Sequence, residues 1–541
     1  MSAQESANQI VAQLIAQGVR HLVLCPGSRS APLALAAAQA ERLGLAKLHV
    51  RTDERGAGFL ALGVGKTGEL AAVITTSGTA VGNLLPAVME ASHSRVPLLV
   101  VSADRPADWP GFGANQTTCQ QGIFGGFVRW STEIDDRDGE RSWKAQVSRA
   151  CLIAAGAFGG AAGPVQLNVH LREPLAEPGL GLPAASKVIG PEHRRPEPAA
   201  IPSDKTVVIA GDASDQESAR YLEMLGKNWP VPVVAEPSSA LRCGQALRCG
   251  RLVLNTELAD EAQRVVVFGH PTLSRSVTRL LSRSHVEVIS LGSDPTRNAS
   301  RFVEAVEFAG GGTWLERWQE ADKRIAARVD ELAELRFETG LNPLAVAGVI
   351  ARCGQSVFVG NSNPIRDFDL AGFSEVVGPG TEAALASRSV REHQIVRANR
   401  GLAGIDGLVS TAVGIALAEP GPHIAYLGDL SFLHDVNALA IGTEQQPDLT
   451  FVVADDSGGS IFSTLEYGGP EYAQDFERVF ATDRRADLVQ AARAMGVEAE
   501  RVENLETLTL KLNQPGGMRV LVVGVDREHR SELNAALEAL R

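Results

Sequence analysis

The sequence predicts an α/β fold of three doubly wound parallel-sheet domains in series. Three observations carry this. Short apolar runs alternate with helix-length amphipathic segments along the chain, as in parallel sheets crossed by helices. A stretch rich in Pro, charge and small residues, 186–204, separates the first alternation from the second. The length of 541 residues suits about three domains of ordinary size.

The elements follow in order. Residues 1–185 form the first domain, with strands at Val19–Leu24, Lys47–Val50, Ala71–Thr75, Pro97–Ser102 and Val165–Val169. Asp53-Glu54-Arg55 follows the second of these and opens a helix running to Gly65. Residues 186–204 are the linker. Residues 205–338 form a central α/β domain, with strands at Val207–Ala210, Val231–Ala235, Val265–Gly269 and Val286–Leu291. A charged helix from Trp314 to about Arg336 closes it. Residues 339–541 form the third domain, with strands near Ser356–Gly360, Ile424–Leu427, Thr450–Ala454 and Arg519–Val523.

Bulk properties narrow the function. The chain is 44% hydrophobic and 21% charged, ordinary for a soluble enzyme. A net charge of −13 without a Lys/Arg run argues against nucleic acid or an anionic membrane as partner. The six cysteines are scattered without metal spacing, which points to a reducing cytoplasm. Met1–Gln17 lacks the basic and apolar regions of an export signal, and no stretch is apolar enough for membrane insertion.

The most informative motif is Gly428-Asp429-Leu430, followed a helix later by Asp455-Asp456-Ser457-Gly458-Gly459. An apolar run precedes each half, so both end on one edge of a parallel sheet, where α/β proteins bind ligands. Two carboxylates plus glycine carbonyls make a hard oxygen site suited to Mg²⁺. A helix beginning near Ser431 would aim N–H groups at the same edge and favour phosphate. The bland alternative is an Asp- and Gly-rich surface turn; the paired spacing argues against it. Further polar segments follow strand ends: Cys25-Pro26-Gly27-Ser28-Arg29-Ser30, Thr76-Ser77-Gly78-Thr79, Ser102–Pro106 and Asn361–Arg366. Gly113–Gln116 and Asn399-Arg400-Gly401 join them. A single arginine is most often an ion-pair residue. Arg29, Arg105, Arg366 and Arg400 with Ser and Asn alongside read as an anion site for carboxylates. Ser28 taken alone is a helix cap, and Glu54 taken alone is a solvated first-turn carboxylate.

The metal motif resembles that of thiamine-diphosphate enzymes, which implies the thiamine-diphosphate-binding fold: a pyrimidine-binding, a central and a diphosphate/Mg-binding domain. By that resemblance Asp429, Asp456 and the Gly458 carbonyl are the metal ligands, for Mg²⁺ or for Mn²⁺ in its place. Asp456 departs from the usual Asn and adds a charge beside the diphosphate. Gly428, Asp429, Leu430, Ser431, Gly458, Gly459 and Ile461 would bind cofactor, with Ser77, Gly78 and Thr79 from the first domain. Ile405 matches the apolar residue that supports the bent cofactor. Glu54 matches the carboxylate that bonds a ring nitrogen of the aminopyrimidine and so activates the thiazolium carbon. The family draws these two ends from different subunits, which implies a homodimer with shared active sites, and a homotetramer as the expected larger form.

Over nearly its whole length the chain resembles the 2-succinyl-5-enolpyruvyl-6-hydroxy-3-cyclohexene-1-carboxylate synthases of menaquinone biosynthesis. The strings that carry this are Cys25–Arg29 with Ala31-Pro32-Leu33, Gly113–Gln116, Ser362–Arg366, Asn399–Gly407 and Gly459–Phe462. The resemblance implies decarboxylation of 2-oxoglutarate and conjugate addition of the succinyl-semialdehyde carbanion to isochorismate. It assigns Arg366 and Arg400, with Ser362, to the succinyl portion. It assigns Ser28, Arg29, Asn115 and Gln116, with Arg105 nearby, to isochorismate. Ile461, Phe462 and Leu465 would wall the site and keep out protons that quench the carbanion. Catalysis would fall to Glu54, Arg29, Arg366 and Arg400. The rivals are another thiamine-diphosphate 2-oxoacid decarboxylase or acetolactate-synthase-like carboligase, a degenerate scaffold subunit, and a P-loop at Gly63–Thr67. The P-loop fingerprint needs Gly where Leu60 stands.

Overall fold

The structure is a computed structural model that describes residues 2–135, 140–191, 196–213, 215–225, 229–292, 296, 298–372, 394–441, 445–482, 486–514 and 516–541. Three parallel sheets and one two-stranded pair account for its strands. The first sheet contains β1 (His21–Leu24), β2 (Lys47–Val50), β3 (Ala71–Thr75), β4 (Leu98–Asp104), β5 (Trp130–Asp135) and β6 (Pro164–His170), ordered β2-β1-β3-β4-β6-β5. β3, β4 and β6 are buried throughout; β3 is a continuous apolar run, whereas β6 alternates, its buried Gln166 and Asn168 bonded to Ser102 and Gln120.

β7 (Ala199–Pro202) pairs with β13 (Val306–Ala309) outside the main sheets. The central sheet contains β8 (Thr206–Ala210), β9 (Val233–Ala235), β10 (Arg264–Phe268), β11 (Glu287–Leu291) and β12 (Arg301–Val303), ordered β12-β11-β10-β8-β9. The third sheet contains β14 (Ser356–Val359), β15 (Val396–Arg397), β16 (His423–Gly428), β17 (Leu449–Asp455), β18 (Glu498–Val502) and β19 (Met518–Gly524), ordered β15-β14-β16-β17-β19-β18. Its core packs Val357, Ile424, Tyr426, Val452 and Leu521.

The α/β architecture with parallel sheets is as expected. β12, β13, β15 and β18 are strands the sequence reading did not place, and four further details differ. β5 is an extra strand, half-exposed along most of its length. β7 lies within 186–204, because the buried Ile201 gives that stretch an apolar anchor; residues 192–195 lie outside the described residues. The helix expected near Ser431 begins at Asp429. Ser28 does not cap the helix Ala31–Arg42: Ser30 precedes that helix and sends its hydroxyl to the Gly27 carbonyl at 3.1 Å.

Two compact units emerge from the packing. One comprises 1–194, 401–421 and 437–447, the other 195–400, 422–436 and 448–541. The first therefore takes two pieces of chain from beyond residue 400. Within it the helix Glu54–Gly65 lies along the helix Leu408–Ala418. Glycines permit the approach: a Cβ on Gly63 would fall 2.2 Å from the Thr411 oxygen, and one on Gly414 would fall 2.1 Å from the Leu60 oxygen. Gly63–Thr67 thus completes a helix that packs on another helix, and the nucleotide-loop reading fails.

Candidate active site

In the third sheet the strand order reverses between β14 and β16, so their carboxyl ends open a crevice where ligands bind in doubly wound sheets. β14 leads to Ser362, held at φ +73°, a left-handed conformation unusual for serine. Ser362 precedes the helix Asn363–Leu370, whose Pro364 is preset for a first turn. One turn later the guanidinium of Arg366 donates back to the Ser362 carbonyl at 2.7 Å. Arg400 is buried: Nη1 donates to Asn361 Oδ1 at 2.7 Å and Nη2 to Thr272 Oγ1 at 2.9 Å. Its Nε has no hydrogen-bond partner among the described residues. Burial, then the charges of Arg400, Arg251 and Arg530, push the Arg366 guanidinium down to about 10.

β16 ends at Gly428, and Asp429 begins the next short helix. Asp429 Oδ1 accepts the Leu430 N–H at 2.7 Å and Oδ2 accepts the Gly458 N–H at 2.8 Å. Those bonds pin the carboxylate across the ends of neighbouring strands β16 and β17. Ser457 at φ +55° and Gly458 at φ +138° turn the chain sharply past Asp456. The Asp456 carboxylate accepts the Ser460 hydroxyl through Oδ2, and Ser460 Oγ in turn accepts Asn363 Nδ2 at 2.7 Å. Asp456 Oδ1 and Asn363 Oδ1 are buried without hydrogen-bond partners among the described residues. Burial raises the affinity of both Asp429 and Asp456 for protons, and for Asp429 the charge of Asp456 adds to it. A hard divalent cation would offset both effects, so the donor set fits one. Among the described residues no three His, Cys, Asp or Glu side chains gather as a metal cluster; two carboxylates and a main-chain carbonyl fall below that number.

The third sheet therefore brings together Ser362, Arg366, Arg400, Gly428, Asp429, Leu430, Ser431, Asp456, Gly458 and Gly459 at strand ends or the turns after them. Ile461, Phe462 and Leu465 follow at once. Phe462 sits in an aromatic cluster with Tyr467 and Phe480. Asn363, Asn361, Thr272 and Ser460 are the supporting residues that the sequence did not single out. Asn361, Asn363 and Ser460 lay inside quoted strings; Thr272 gave no signal beyond its polarity.

The first sheet reverses between β1 and β3. Gly27, after β1, has no room for a side chain: its Cβ would lie 2.3 Å from Thr76 Cβ. Arg29 is buried, donates to the Leu171 carbonyl at 2.8 Å, and lies 5.8 Å from the Trp109 ring. Burial, then the charge of Arg105, lowers its hold on its proton. Arg105 donates from Nη2 to the Asn115 carbonyl at 2.9 Å. Ser77 Oγ donates to the Gln116 carbonyl at 2.9 Å, and Gln116 Nε2 donates to the Ser77 carbonyl at 2.8 Å. Gly78 (φ +88°) gives its N–H to Gln120 Oε1 at 2.8 Å, so the turn before Thr79 spends donors inside the domain. Ser28, Asn115 and Gln116 are exposed.

Asp53 caps the helix Glu54–Gly65 by accepting the Arg55 N–H at 3.0 Å. Glu54 is half-buried and accepts Asn83 Nδ2 at 3.1 Å. Within this unit Ile405 is 41% exposed, a bare apolar side chain just before the positive-φ turn at Gly407.

Comparison with known proteins agrees with this layout. Residues 4–123 match the family model described as thiamine pyrophosphate enzyme, N-terminal TPP binding domain. Residues 381–518 match the corresponding C-terminal TPP binding domain. A protein of Nocardioides sp. named 2-succinyl-5-enolpyruvyl-6-hydroxy-3-cyclohexene-1-carboxylate synthase is 44% identical, covering 100% of this chain and 98% of its own length. The same-named protein of Kineococcus radiotolerans is 44% identical over 99% of this chain and 98% of its own. That of Renibacterium salmoninarum is 40% identical over 97% and 95%.

Proposed function

This chain belongs to the family of 2-succinyl-5-enolpyruvyl-6-hydroxy-3-cyclohexene-1-carboxylate synthases among the thiamine-diphosphate enzymes, and from that premise we propose how its residues share the work. The reaction joins 2-oxoglutarate, losing CO₂, to isochorismate and serves menaquinone biosynthesis. Another 2-oxoacid decarboxylase or an acetolactate-synthase-like carboligase is not favoured.

Thiamine diphosphate, when bound, would supply the electron sink for decarboxylation and for the carbon–carbon bond that follows. Asp429, Asp456 and the Gly458 carbonyl would hold Mg²⁺, or Mn²⁺, against its diphosphate. The residues fit: two unpartnered buried oxygens, Asp456 Oδ1 and Asn363 Oδ1, stand at that edge. Gly428, Leu430, Ser431, Gly459 and Ile461 would line the same end, with Ile405 beneath the cofactor's bend. Ser77, Gly78 and Thr79 would approach the pyrimidine, where Glu54 would hold a proton at a ring nitrogen. That job needs a carboxylate shielded from water, because bulk solvent weakens a charge-assisted bond. Glu54 is only half-buried in a single chain. This favours a homodimer that closes over it, and a homotetramer as a pair of such dimers.

Arg366 and Arg400, with Ser362, would bind the succinyl carboxylate of 2-oxoglutarate. Arg29, Arg105, Ser28, Asn115 and Gln116 would receive isochorismate, whose carboxylates suit guanidinium forks. Ile461, Phe462 and Leu465 would exclude water. The observation that carries the substrate reading is the pair of neighbouring guanidiniums, Arg366 and Arg400, with Arg400 Nε unengaged. Among the described residues no helix is long and apolar enough to cross a membrane. The six cysteines are free thiols, which accords with work in the cytoplasm.

The test is mass spectrometry of the product from purified protein given both substrates, Mg²⁺ and thiamine diphosphate. The expected mass is that of the succinylated cyclohexene carboxylate. Release of succinic semialdehyde with isochorismate left intact would overturn the reading.

A further inference from the structure

The central domain contributes a buried carboxylate that the reaction as described does not use. Glu236 follows β9 at the carboxyl edge of the central sheet and is 6% exposed. Its Oε1 accepts the Leu273 N–H at 2.6 Å, and its Oε2 has no hydrogen-bond partner among the described residues. Burying a carboxylate with one oxygen idle is costly, so a nearby cation is expected to hold it there. Arg400 is that cation: its charge is the strongest favourable influence on the Glu236 carboxylate, which burial pushes up to about 7 against it. Asp369, the other charge felt at Glu236, is itself paired with Arg242 at 3.1 Å and with Arg251 at 2.7 Å.

A hydrogen-bonded path through one peptide link joins the same two groups. Leu273, whose amide Glu236 fixes, adjoins Thr272, whose hydroxyl accepts Arg400 Nη2 at 2.9 Å. Asn361 takes the other end of the fork at 2.7 Å. Remove the Thr272 hydroxyl and the guanidinium is held at one nitrogen only, free to swing about Asn361.

We propose that Glu236 and Thr272 are positioning residues for the 2-oxoglutarate site: through the Thr272–Leu273 turn they lock the Arg400 fork so that its free edge meets the substrate carboxylate. This rests on the reading of Arg400 as a substrate ligand. Thr272→Val keeps the shape and removes the acceptor; Glu236→Gln keeps an acceptor and removes the charge. Each is expected to raise KM for 2-oxoglutarate about five- to tenfold, with kcat and KM for isochorismate changed less than about twofold. Thr272→Ser, which restores the hydroxyl, is expected to restore KM. In an Arg400→Ala background Thr272→Val is expected to add nothing.

Should Arg400→Ala itself leave KM for 2-oxoglutarate unchanged, the substrate reading of Arg400 falls and this proposal with it. Should Arg400→Ala raise that KM while Thr272→Val and Glu236→Gln do not, the positioning role alone falls. Equal loss for both substrates, tracking a fall in melting temperature, would also overturn it by making the turn merely structural. Thr272→Val, a near-isosteric change, keeps the test available where Glu236→Gln fails to fold.

Discussion

The central and C-terminal sheets are wound alike and finished differently. In both, the second strand lies outside the first and the third crosses to its other side, so each has a reversal between its first and third strands. In the central sheet that place is filled by the chain itself. Asp212 and His270 bridge across it, a Cβ on Gly211 would meet the Pro271 nitrogen at 2.1 Å, and one on Gly269 would meet the Asp212 oxygen at 2.5 Å. In the C-terminal sheet the turn after the third strand stays open: a Cβ on Gly428 would touch only Pro364, at 3.9 Å, while one on Gly360 after the first strand would meet the Leu427 side chain at 2.9 Å. Topology supplies a crevice, and the turns after the strands decide between ligand and backbone. Carboxylates, bare amide oxygens and arginines gather where the backbone stands back.

The comparison can be broken or sharpened by substitution. The largest effect is expected from Glu54→Gln, at the acid that would activate the cofactor. Turnover should fall about 10²- to 10⁴-fold while calorimetry still detects cofactor uptake; near-normal turnover would remove Glu54 from the mechanism. Asp429→Ala at the open turn should weaken magnesium-dependent cofactor binding about 10- to 100-fold, and calorimetry showing unchanged affinity would refute the metal assignment. Gly211→Ala at the filled turn should cost stability, about 1–3 kcal/mol from overpacking. It should leave cofactor affinity untouched. A changed affinity with an unchanged melting temperature would mean that the central sheet also holds ligand.

Asp456→Asn should have the smallest effect and a divided one. It removes a buried like charge from beside Asp429, so the protein without metal or cofactor should melt a few degrees higher. The gain in melting temperature on adding Mg²⁺ and thiamine diphosphate should shrink. A lower melting temperature in the metal-free protein would show that Asp456 is not held against repulsion.

The sequence disclosed the parts of this molecule that speak through local pattern. β16 and β17 are continuous apolar runs ending in Asp and Gly, so the strand ends that carry Asp429 and Asp455 were legible in the sequence. β5 was not, since a half-exposed edge strand carries mixed residues and no clean period. β15 has only two residues, Val396 and Arg397. The supporting bonds were hidden for a different reason. Asn363 to Ser460, Arg400 to Thr272 and Glu236 to Leu273 join residues far apart in the chain. Such pairings are products of packing, and a single sequence carries no period or spacing for them. Residues 401–421 likewise read as part of the third domain, yet they pack within the first compact unit.

The glycine-clasped helix pair bears on the order in which the protein is made. Synthesis delivers Leu60 and Gly63 early and their counterpart at Gly414 late. Until the ribosome has passed Ala418, the face that will carry Glu54 lacks its mate, and the amino-terminal portion emerges with an apolar groove bare. Stalled nascent chains ending before residue 400 should therefore be cut by protease near Leu60, and released chains carrying 401–421 and 437–447 should resist, which makes completion of the first compact unit an event of late translation.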